Sequence, residues 1–291
     1  GGGQLGRMMA LSAKEMGYRI AVLDPTPNSP CGQVADIEIT AEYSDVKAIK
    51  QLAEASDVIT YEFENIDVKA LDYLNENAYL PQGSELLKLT RNRLTEKTAI
   101  QNIGIQVAPF RLVENEEQLF EAISIIGLPA VLKTTTGGYD GKGQVVIKTE
   151  EAFDDALELV KKQQCILEGW VPFEKELSII VARNSKGEVS TFPIAENVHV
   201  NQILHTSSVP ANISKLVKEK ADQYAEKIAS NFHLVGVLAI ELFVTEDEQV
   251  YINELAPRPH NTGHYTMEAV ETSQFKQHIR AVCNLPLGNT E

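Results

Sequence analysis

The stretch PAVLKTTTGGYDGKGQ, residues 129–144, carries the clearest fold signal in the chain. Its apolar start predicts a β-strand that ends at Lys133, and residues 144–148 are predicted to return as a second strand. The glycine-rich part therefore joins two strands. In a Walker A motif, by contrast, the loop leads into a helix and the lysine is followed by Ser or Thr. The pattern predicts a loop between two strands that closes over phosphates.

The residue types of this loop suit a phosphate ligand. Glycine adopts positive φ and leaves the backbone amides uncovered, which favours an anion. Lys142 adds a mobile positive charge, and Lys133 adds a fixed one at the base of the loop. An ordinary solvated turn is the alternative. Such a turn needs only one or two glycines, and this loop has four: Gly137, Gly138, Gly141 and Gly143.

Two glutamates interrupt apolar strands farther along the chain. Glu241 lies in IELF and Glu254 in INEL, and a hairpin turn at residues 245–249 would place them opposite each other. Two facing carboxylates repel each other and lose hydration energy, and a divalent cation offsets both effects. Their hard oxygen ligands favour Mg²⁺ or Mn²⁺. The alternative is that each glutamate pairs with a lysine or an arginine.

The segment PRPHNTGH, residues 257–264, directly follows the second of these strands. Its two prolines predict a stiff, non-helical backbone. Arg258, His260 and Asn261 are close together in it and are suited to clamp a small planar anion such as a carboxylate or bicarbonate. A structural histidine is the alternative, but the neighbouring arginine and metal candidates favour a binding function.

The first residues match a dinucleotide-binding pattern. Gly1, Gly3 and Gly6 have the spacing Gly-x-Gly-x-x-Gly at the start of a predicted helix, and Asp24 ends the next predicted strand. An acid at that position binds ribose hydroxyls in such proteins. The alternatives are a glycine turn that packs a helix on a sheet and a turn that binds another ligand. Because no strand precedes the turn, we expect the sequence to begin inside a domain.

Composition limits the class of protein. The 291 residues fit about two domains, and 43% hydrophobic with 23% charged residues is typical of a soluble globular protein. A net charge of −15 argues against non-specific binding to nucleic acid or to an anionic membrane. Cys31, Cys165 and Cys283 are far apart, which favours reduced thiols in the cytoplasm. No apolar run reaches the roughly 18 residues of a membrane span.

The order of predicted elements gives the fold class. Helix and strand patterns alternate at first, which predicts an α/β domain with a parallel sheet, and the later pattern is α+β. A boundary is expected near residues 81–91. The predicted helices are at 5–16, 46–55, 94–102, 116–126, 151–163, 214–231 and 273–283. The predicted strands are at 18–23, 57–61, 107–113, 129–133, 144–148, 165–168, 177–182, 189–194, 236–244 and 250–255.

Taken together, these motifs resemble the ATP-grasp superfamily. Within it they most resemble the 5-(carboxyamino)imidazole ribonucleotide synthase family, also described as the ATPase subunit of phosphoribosylaminoimidazole carboxylase. The resemblance covers essentially the whole chain. It rests on GGGQLGRMM at 1–9, YEFENI at 61–66, NRLTEK at 92–97, LKTTTGGYDGKGQ at 132–144, EGWV at 168–171, PFEKELS at 172–178, AENVH at 195–199, ELFV at 241–244, INELAPRPHNTGH at 252–264 and TSQFKQHIRAVCNLPLG at 272–288.

The resemblance implies a domain organisation. An N-terminal parallel-sheet α/β domain of the biotin-carboxylase-like, pre-ATP-grasp type would span residues 1–84. The ATP-grasp α+β domains would span residues 85–291, with a small lid subdomain at about 106–171 and a larger antiparallel-sheet subdomain. The family continues past NLPLG into a small β-rich lobe, so we expect a fragment that lacks this lobe. A cytoplasmic homodimer is also implied.

The resemblance further implies which residues bind ATP. Arg93 and Lys133 would contact the phosphates, and the loop over them would consist of Gly138, Tyr139, Asp140, Gly141, Lys142, Gly143 and Gln144. The other nucleotide-binding residues would be Glu168, Gly169, Trp170 and Val171 at the adenine, Glu176 at the ribose, and His199, Asn253 and Glu254.

The remaining implied residues serve the metal and the other substrates. Glu241 and Glu254 would hold Mg²⁺ or Mn²⁺, and the catalytic residues Arg258, His260 and Asn261 would position bicarbonate. Gln4, Leu5 and Glu62 would face the ribonucleotide. The implied reaction is the ATP- and bicarbonate-dependent carboxylation of the exocyclic amine of 5-aminoimidazole ribonucleotide through carboxyphosphate, in de novo purine biosynthesis. Its partners are these small molecules, with no nucleic acid and no membrane.

Three other functions fit parts of the sequence. One is another ATP-dependent ligase of the superfamily, such as a formate-using glycinamide ribonucleotide transformylase. A nicotinamide-dependent dehydrogenase is the second, and it rests only on the N-terminal glycines. The third is a non-catalytic nucleotide-binding module. The GYDGKGQ loop and PRPHN favour the bicarbonate-using ligase over the first. The dehydrogenase leaves the loop, the acidic pair and Arg258 unexplained.

Overall fold

The computed structural model describes residues 1–138 and 142–291 of the chain. Near the N-terminus, two parallel strands pair with Leu23 opposite Ile39. Their apolar side chains share one core with helix residues such as Leu71 and Leu87. The elements of this part are α1 (Gln4–Glu15), β1 (Ala21–Asp24), β2 (Ile37–Thr40), α2 (Val46–Glu54), α3 (Val68–Asn77) and α4 (Glu85–Thr90).

A small antiparallel sheet forms the middle of the chain, with strand order β3-β6-β4-β5. Lys133 at the end of β4 pairs with Gln144 at the start of β5, so the glycine-rich segment joins two strands as predicted. The elements are α5 (Arg93–Asn102), β3 (Phe110–Val113), α6 (Glu116–Ile126), β4 (Ala130–Thr134), β5 (Gln144–Ile147), α7 (Phe153–Lys162) and β6 (Cys165–Gly169).

A larger antiparallel sheet follows, with strand order β10-β9-β7-β11-β12 and β8 paired to β7. Its elements are β7 (Phe173–Arg183), β8 (Val189–Thr191), β9 (Ala195–Val200), β10 (Ile203–Ser208), α8 (Lys215–Asn231), β11 (Gly236–Thr245), β12 (Val250–Ala256), α9 (Thr266–Ala269) and α10 (Gln274–Val282).

Both faces of the central strand β11 are covered. Leu238, Ile240 and Leu242 belong to the core that includes buried residues of α8, whereas Val237 and Ala239 belong to a separate core. Alternate side chains of a strand point to opposite faces, so an apolar run covered on both sides reads as nearly continuous. Glu241 interrupts this run, which is why it stands out in the sequence.

The predicted fold class is confirmed: a parallel sheet comes first and two antiparallel sheets follow. The helix predicted at residues 116–126 has those bounds. The prediction of a strand at 57–61 is wrong. No strand is assigned to these residues, and Ile59 N–H donates a single backbone hydrogen bond to the carbonyl of Tyr79. The sequence analysis also missed β2, α3, α4, β9, β10 and α9. Strands β2, β9 and β10 are short and partly exposed, so they lack a sustained apolar pattern.

Among the helices within residues 1–138 and 142–291, none is both long and apolar enough to span a membrane.

Candidate active site

A cleft of about 1390 Å³ is lined by both antiparallel sheets and, at its N-terminal end, by the start of α1 and residues 62–65. It brings together residues that are far apart in sequence. The predicted site residues that line it are Gln4, Leu5, Glu62, Arg93, Lys133, Gly138, Lys142, Gln144, Glu168, Gly169, Trp170, Val171, Glu176, His199, Glu241, Asn253, Glu254, Arg258, His260 and Asn261. Tyr139, Asp140 and Gly141 lie outside the described residues. Gly143 lies at the loop base, where its carbonyl accepts a hydrogen bond from the amide of Thr134.

Glu168 on β6 is the centre of a buried charge cluster. Its Oε2 atom lies 3.0 Å from Nζ of Lys133 and 3.3 Å from Nζ of Lys97. Lys97, on α5, is almost fully buried and also donates to the carbonyl of Asn253, at 3.1 Å. Burial acts to raise the pKa of Glu168, but the two lysines outweigh it and hold the pKa below its usual value. This carboxylate is therefore ionised and compensated by the protein itself.

The second oxygen of Glu168 is different. Oε1 is buried and accepts no hydrogen bond from the described residues. A buried carboxylate oxygen without a donor is costly, so this atom is suited to accept a hydrogen bond from a ligand. Gly169, Trp170 and Val171 follow it on the cleft wall, and Trp170 remains 41% exposed there.

Arg93 holds the base of the glycine-rich loop. Its guanidinium donates to the carbonyls of Thr134, Gly137 and Gly138. Gly138 and Gly143 have φ of 76° and 71°, and a Cβ on Gly138 would lie 2.6 Å from the carbonyl oxygen of Lys142. Glycine is thus required here both for conformation and for space. Arg93 contacts the loop backbone in this structure, and its contact with phosphate stays a prediction.

Two polar contacts cross the other side of the cleft. Nδ1 of His199 lies 2.8 Å from Oε2 of Glu176. Gln144, where the glycine-rich loop ends, donates to the side chain of Gln202 at 2.9 Å, in the turn between β9 and β10. Phe173 and Phe243 stack with ring centroids 4.4 Å apart and form an apolar wall between these contacts and β12. The cleft therefore has an apolar wall with polar groups near it.

Glu241 and Glu254 face each other, as predicted. The pairs Val244–Val250 and Leu242–Ile252 would by themselves place Glu241 opposite Asn253, but a register irregularity after Glu241 shifts the pairing by one residue. Because of this β-bulge, the two glutamates lie directly opposite each other on neighbouring strands.

The charge of this acidic pair is not compensated as that of Glu168 is. Burial first, and then Glu254, raise the pKa of Glu241 to about 8. Burial and Glu254 likewise raise the pKa of Glu96 on α5 to about 8. Within residues 1–138 and 142–291, no three His, Cys, Asp or Glu side chains are grouped as a metal site. Two carboxylates fit Mg²⁺, which is commonly bound by one or two carboxylates together with substrate phosphates.

The segment after β12 carries the predicted anion site. Arg258 donates through Nε to Glu64 at 2.7 Å. His260 is half-buried, and desolvation and the neighbouring Arg258 lower its pKa to about 3, so its ring is neutral. Its Nδ1 atom lies 2.9 Å from the hydroxyl of Thr262, and Nε2 lies 3.6 Å from Oε1 of Glu241. The anion and metal candidates are therefore neighbours.

At the N-terminal end of the cleft, one residue predicted to contact the ribonucleotide already has partners within the protein. Glu62 accepts hydrogen bonds from the backbone amides of Gly3 and Gly6 at the start of α1, one on each oxygen. Its contact with a ribonucleotide stays a prediction. Asp24, the acid of the dinucleotide pattern, accepts from Tyr43 at 2.7 Å and from the amide of Gly2 at 2.6 Å. This carboxylate stabilises its own turn.

Among the cleft residues that the sequence analysis missed are Glu64, Glu96, Lys97 and Gln202. Glu64 lies in the quoted YEFENI, and Glu96 and Lys97 lie in NRLTEK, so their motifs were found without their roles. Each acquires its partner only through the tertiary fold, since Lys97 and Asn253 are 156 residues apart.

Two family models match the chain. The ribonucleotide synthetase preATP-grasp domain matches residues 1–90, and the ATP-grasp domain matches residues 98–275. With the glycine-rich loop between two strands and the buried lysine–glutamate cluster, this match assigns the chain to the ATP-grasp proteins. The dehydrogenase alternative is therefore wrong, because the glycine turn at residues 1–6 belongs to a preATP-grasp domain.

Known relatives narrow the class. N5-carboxyaminoimidazole ribonucleotide synthase of Bacillus subtilis is 60% identical over all of this chain and 77% of the relative. The enzyme of that name from a Staphylococcus aureus strain is 44% identical, with the same coverage. The chain belongs to the N5-carboxyaminoimidazole ribonucleotide synthase family.

Solved structures agree with this assignment. An ADP complex of an N5-carboxyaminoimidazole ribonucleotide synthetase matches with a TM-score of 0.98 at 64% identity, covering 100% of this chain and 77% of that one. The Aspergillus clavatus enzyme in complex with ADP and 5-aminoimidazole ribonucleotide matches with a TM-score of 0.92 at 32% identity, covering 99% and 76%.

Proposed function

We propose that this chain catalyses the ATP- and bicarbonate-dependent carboxylation of the exocyclic amine of 5-aminoimidazole ribonucleotide, a step of purine biosynthesis. The products are 5-carboxyaminoimidazole ribonucleotide, ADP and phosphate. The observation that carries the proposal is the facing pair Glu241 and Glu254 beside Arg258, within one cleft that also holds the Lys133–Glu168 cluster. Family membership supports the same reaction.

ATP would lie along the cleft with its base near Glu168 and its phosphates toward the acidic pair. The free Oε1 of Glu168 would accept a hydrogen bond from the adenine amino group. Glu176 would bind the ribose, with His199 beside it, and Trp170 and Phe243 would cover the base. Lys133, Lys142 and the amides of the glycine-rich loop would contact the phosphates, because a loop of this kind offers donors to an anion.

Glu241 and Glu254 would hold Mg²⁺, with Asn253 beside them. The metal would supply positive charge that lowers the repulsion between ATP and an attacking anion. The raised pKa of Glu241 supports this role, because burial first and the facing Glu254 next disfavour its charged form, and a bound cation would offset both effects. The two carboxylates would be the ligands that the protein supplies to the metal.

Bicarbonate would bind between Arg258, His260 and Asn261. Arg258 offers a planar guanidinium that matches a planar anion, and Glu64 orients it through Nε. His260 is neutral, so it contributes hydrogen bonding and leaves the positive charge to Arg258. An oxygen of bicarbonate would attack the γ-phosphorus as ADP leaves, giving carboxyphosphate. Catalysis of this transfer is mainly positioning and electrostatic stabilisation.

In the second step, the amine of the ribonucleotide would attack the carboxyl carbon, or CO₂ released from carboxyphosphate. Phosphate leaves and the amine loses a proton. The ribonucleotide would enter from the N-terminal end, where Gln4, Leu5 and Glu62 line the cleft. Closure of the loop would keep water from the unstable intermediate. We place the domains at residues 1–84 and 85–291, the lid at about 106–171, and the protein in the cytoplasm as a homodimer.

The test is ADP release from the intact enzyme, with bicarbonate and 5-aminoimidazole ribonucleotide each added or omitted. We expect turnover only when both are present with Mg·ATP. ADP release that ignores both compounds would contradict the proposal. Measuring 5-carboxyaminoimidazole ribonucleotide formation in parallel separates true coupling from idle ATP hydrolysis.

A further inference from the structure

Helix α10 lies within the motif TSQFKQHIRAVCNLPLG, to which the proposed reaction assigns no role. Three of its polar side chains, Gln274, Gln277 and His278, are fully buried, and none of them lines the cleft. A buried polar side chain is costly unless it is hydrogen-bonded. The hydrogen bonds of these residues therefore show what the helix holds in place.

Gln274 binds the backbone of His260 at two points. Its Oε1 atom accepts from the amide of His260 at 2.9 Å, and its Nε2 atom donates to the carbonyl of His260 at 2.7 Å. The backbone amide of Gln274 donates to Thr266, whose hydroxyl donates to the carbonyl of Gly263. The start of α10 is thus fastened to the segment that follows Pro259.

His278 reaches the other end of the same segment. Its Nδ1 atom accepts from the amide of Val237 at 3.1 Å. The hydroxyl of Thr60 donates to Oε1 of Gln82, so Nε2–H of His278 donates to Thr60, at 2.7 Å. Gln82 in turn donates through Nε2 to the carbonyl of Pro257, at 3.3 Å. One helix therefore holds the backbone of residues 257–260 at both ends.

This segment needs such support because the sheet does not provide it. Strand β12 ends at Ala256, so ladder hydrogen bonds stop before Arg258. Between the two anchors lie the side chains that face the cleft: Arg258, 2.7 Å from Glu64, and His260, 3.6 Å from Glu241. A shift of the backbone would move both groups relative to the acidic pair.

We propose that Gln274 is a positioning residue for the anion site: its paired hydrogen bonds to His260, with the His278–Thr60–Gln82 chain at Pro257, hold Arg258 and His260 where bicarbonate must bind. This inference rests on the proposed function. Gln274 touches no substrate and acts through the backbone of His260. Its loss therefore affects the bicarbonate step more than the binding of ATP.

Gln277 provides a matched control on the same helix. It is equally buried and forms the same pair of hydrogen bonds, at 2.8 and 2.9 Å, but with the backbone of Gly288, which does not line the cleft. The experiment compares Gln274→Met with Gln277→Met in the intact enzyme. Both variants lose a buried amide clamp, and only the first releases His260.

We expect Gln274→Met to raise the KM for bicarbonate about tenfold or more, with the KM for ATP changed less than about twofold, because small displacements at a reacting centre are costly. Gln277→Met should leave the KM for bicarbonate unchanged at a similar loss of thermal stability. Equal effects of the two variants on the KM for bicarbonate would overturn the proposal.

Thr60→Val gives an independent measurement if Gln274→Met does not fold. It removes the hydroxyl that joins His278 to Gln82, at nearly constant volume. A smaller rise in the KM for bicarbonate, again without a change for ATP, supports the inference, and an unchanged KM contradicts it. Wild-type ADP release with and without bicarbonate is measured first. Its failure would overturn the proposed function, whereas failure in the variants alone would overturn only the positioning role.

Discussion

The carboxylate of Glu168 and those of Glu241 and Glu254 line one cleft, yet their charges are balanced in opposite ways. Glu168 has Lys97 and Lys133 against one of its oxygens, and its pKa is held down. Glu241 has another glutamate opposite it, and its pKa is raised to about 8 by burial and that neighbour. The protein completes the first cluster from its own residues and leaves the second with excess negative charge.

This difference in charge balance suits the two carboxylate sites to different ligands. A compensated carboxylate can be a fixed hydrogen-bond acceptor for an uncharged base, while an uncompensated pair attracts a cation that arrives with its ligand. Lys97 connects the two, because it contacts Glu168 and also the carbonyl of Asn253, the neighbour of Glu254. The difference between the two sites can be tested by substitutions in either one.

Glu254→Gln is the change with the largest expected effect. It removes one of the two facing charges, so we expect turnover to fall by about a thousandfold or more, because a metal ion supplies several kcal/mol of charge stabilisation. ADP release under saturating Mg·ATP measures it. Glu246→Gln, in the exposed turn of the same hairpin, is the control. Activity of Glu254→Gln near the wild-type value would remove the metal-ligand role.

Lys97→Met tests the compensated cluster. Removing one partner of a buried ion pair typically costs about 3 to 5 kcal/mol, and Lys133 retains part of the balance, so we expect a loss of about 3 kcal/mol. Urea unfolding measures the change. Lys88→Met is the control, since Lys88 pairs with Asp72 at the surface, 2.7 Å away, where an ion pair contributes little. Equal losses in the two variants would contradict the central role of Lys97.

The difference in acid stability between the wild type and His278→Gln isolates the contribution of His278. Burial lowers its pKa to about 4, below the value of about 6.5 in the unfolded chain, so between these values the unfolded state binds more protons. Stability should therefore fall as pH drops from 6.5 to 4, by up to about 3 kcal/mol from this group. Urea unfolding at several pH values measures the slope. A slope unchanged in His278→Gln would contradict this assignment.

Between about pH 4.5 and pH 8, the acidic pair gives the opposite slope. The pKa of Glu241 is raised to about 8, so the folded state binds more protons than the unfolded one, and stability falls as pH rises toward 8. Glu241→Gln should stabilise the metal-free protein by about 1 kcal/mol at pH 8, while it abolishes turnover. Thermal unfolding in chelator measures this effect. Destabilisation by the substitution would indicate that Glu241 is already compensated.

Patterns that are local in sequence were sufficient for much of the site. The glycine-rich loop, the acidic hairpin and PRPHN were each found because their residues are close in the chain. The facing of Glu241 and Glu254 was predicted from the turn, although a bulge that the sequence does not reveal brings it about. Lys97 and Glu96 were missed because charged residues on a helix normally face solvent, and only the fold shows that these two are buried.

By itself, the sequence determined the class of fold and the chemistry of the cleft, because strand and loop periodicity and the unusual position of acids in apolar strands are local properties. Only the tertiary structure decided which charges compensate each other. It placed two lysines on Glu168, left Glu241 and Glu254 facing each other, and tied residues 257–260 to α10. These contacts join residues far apart in the chain, so burial and distance fix them, and no short pattern encodes them.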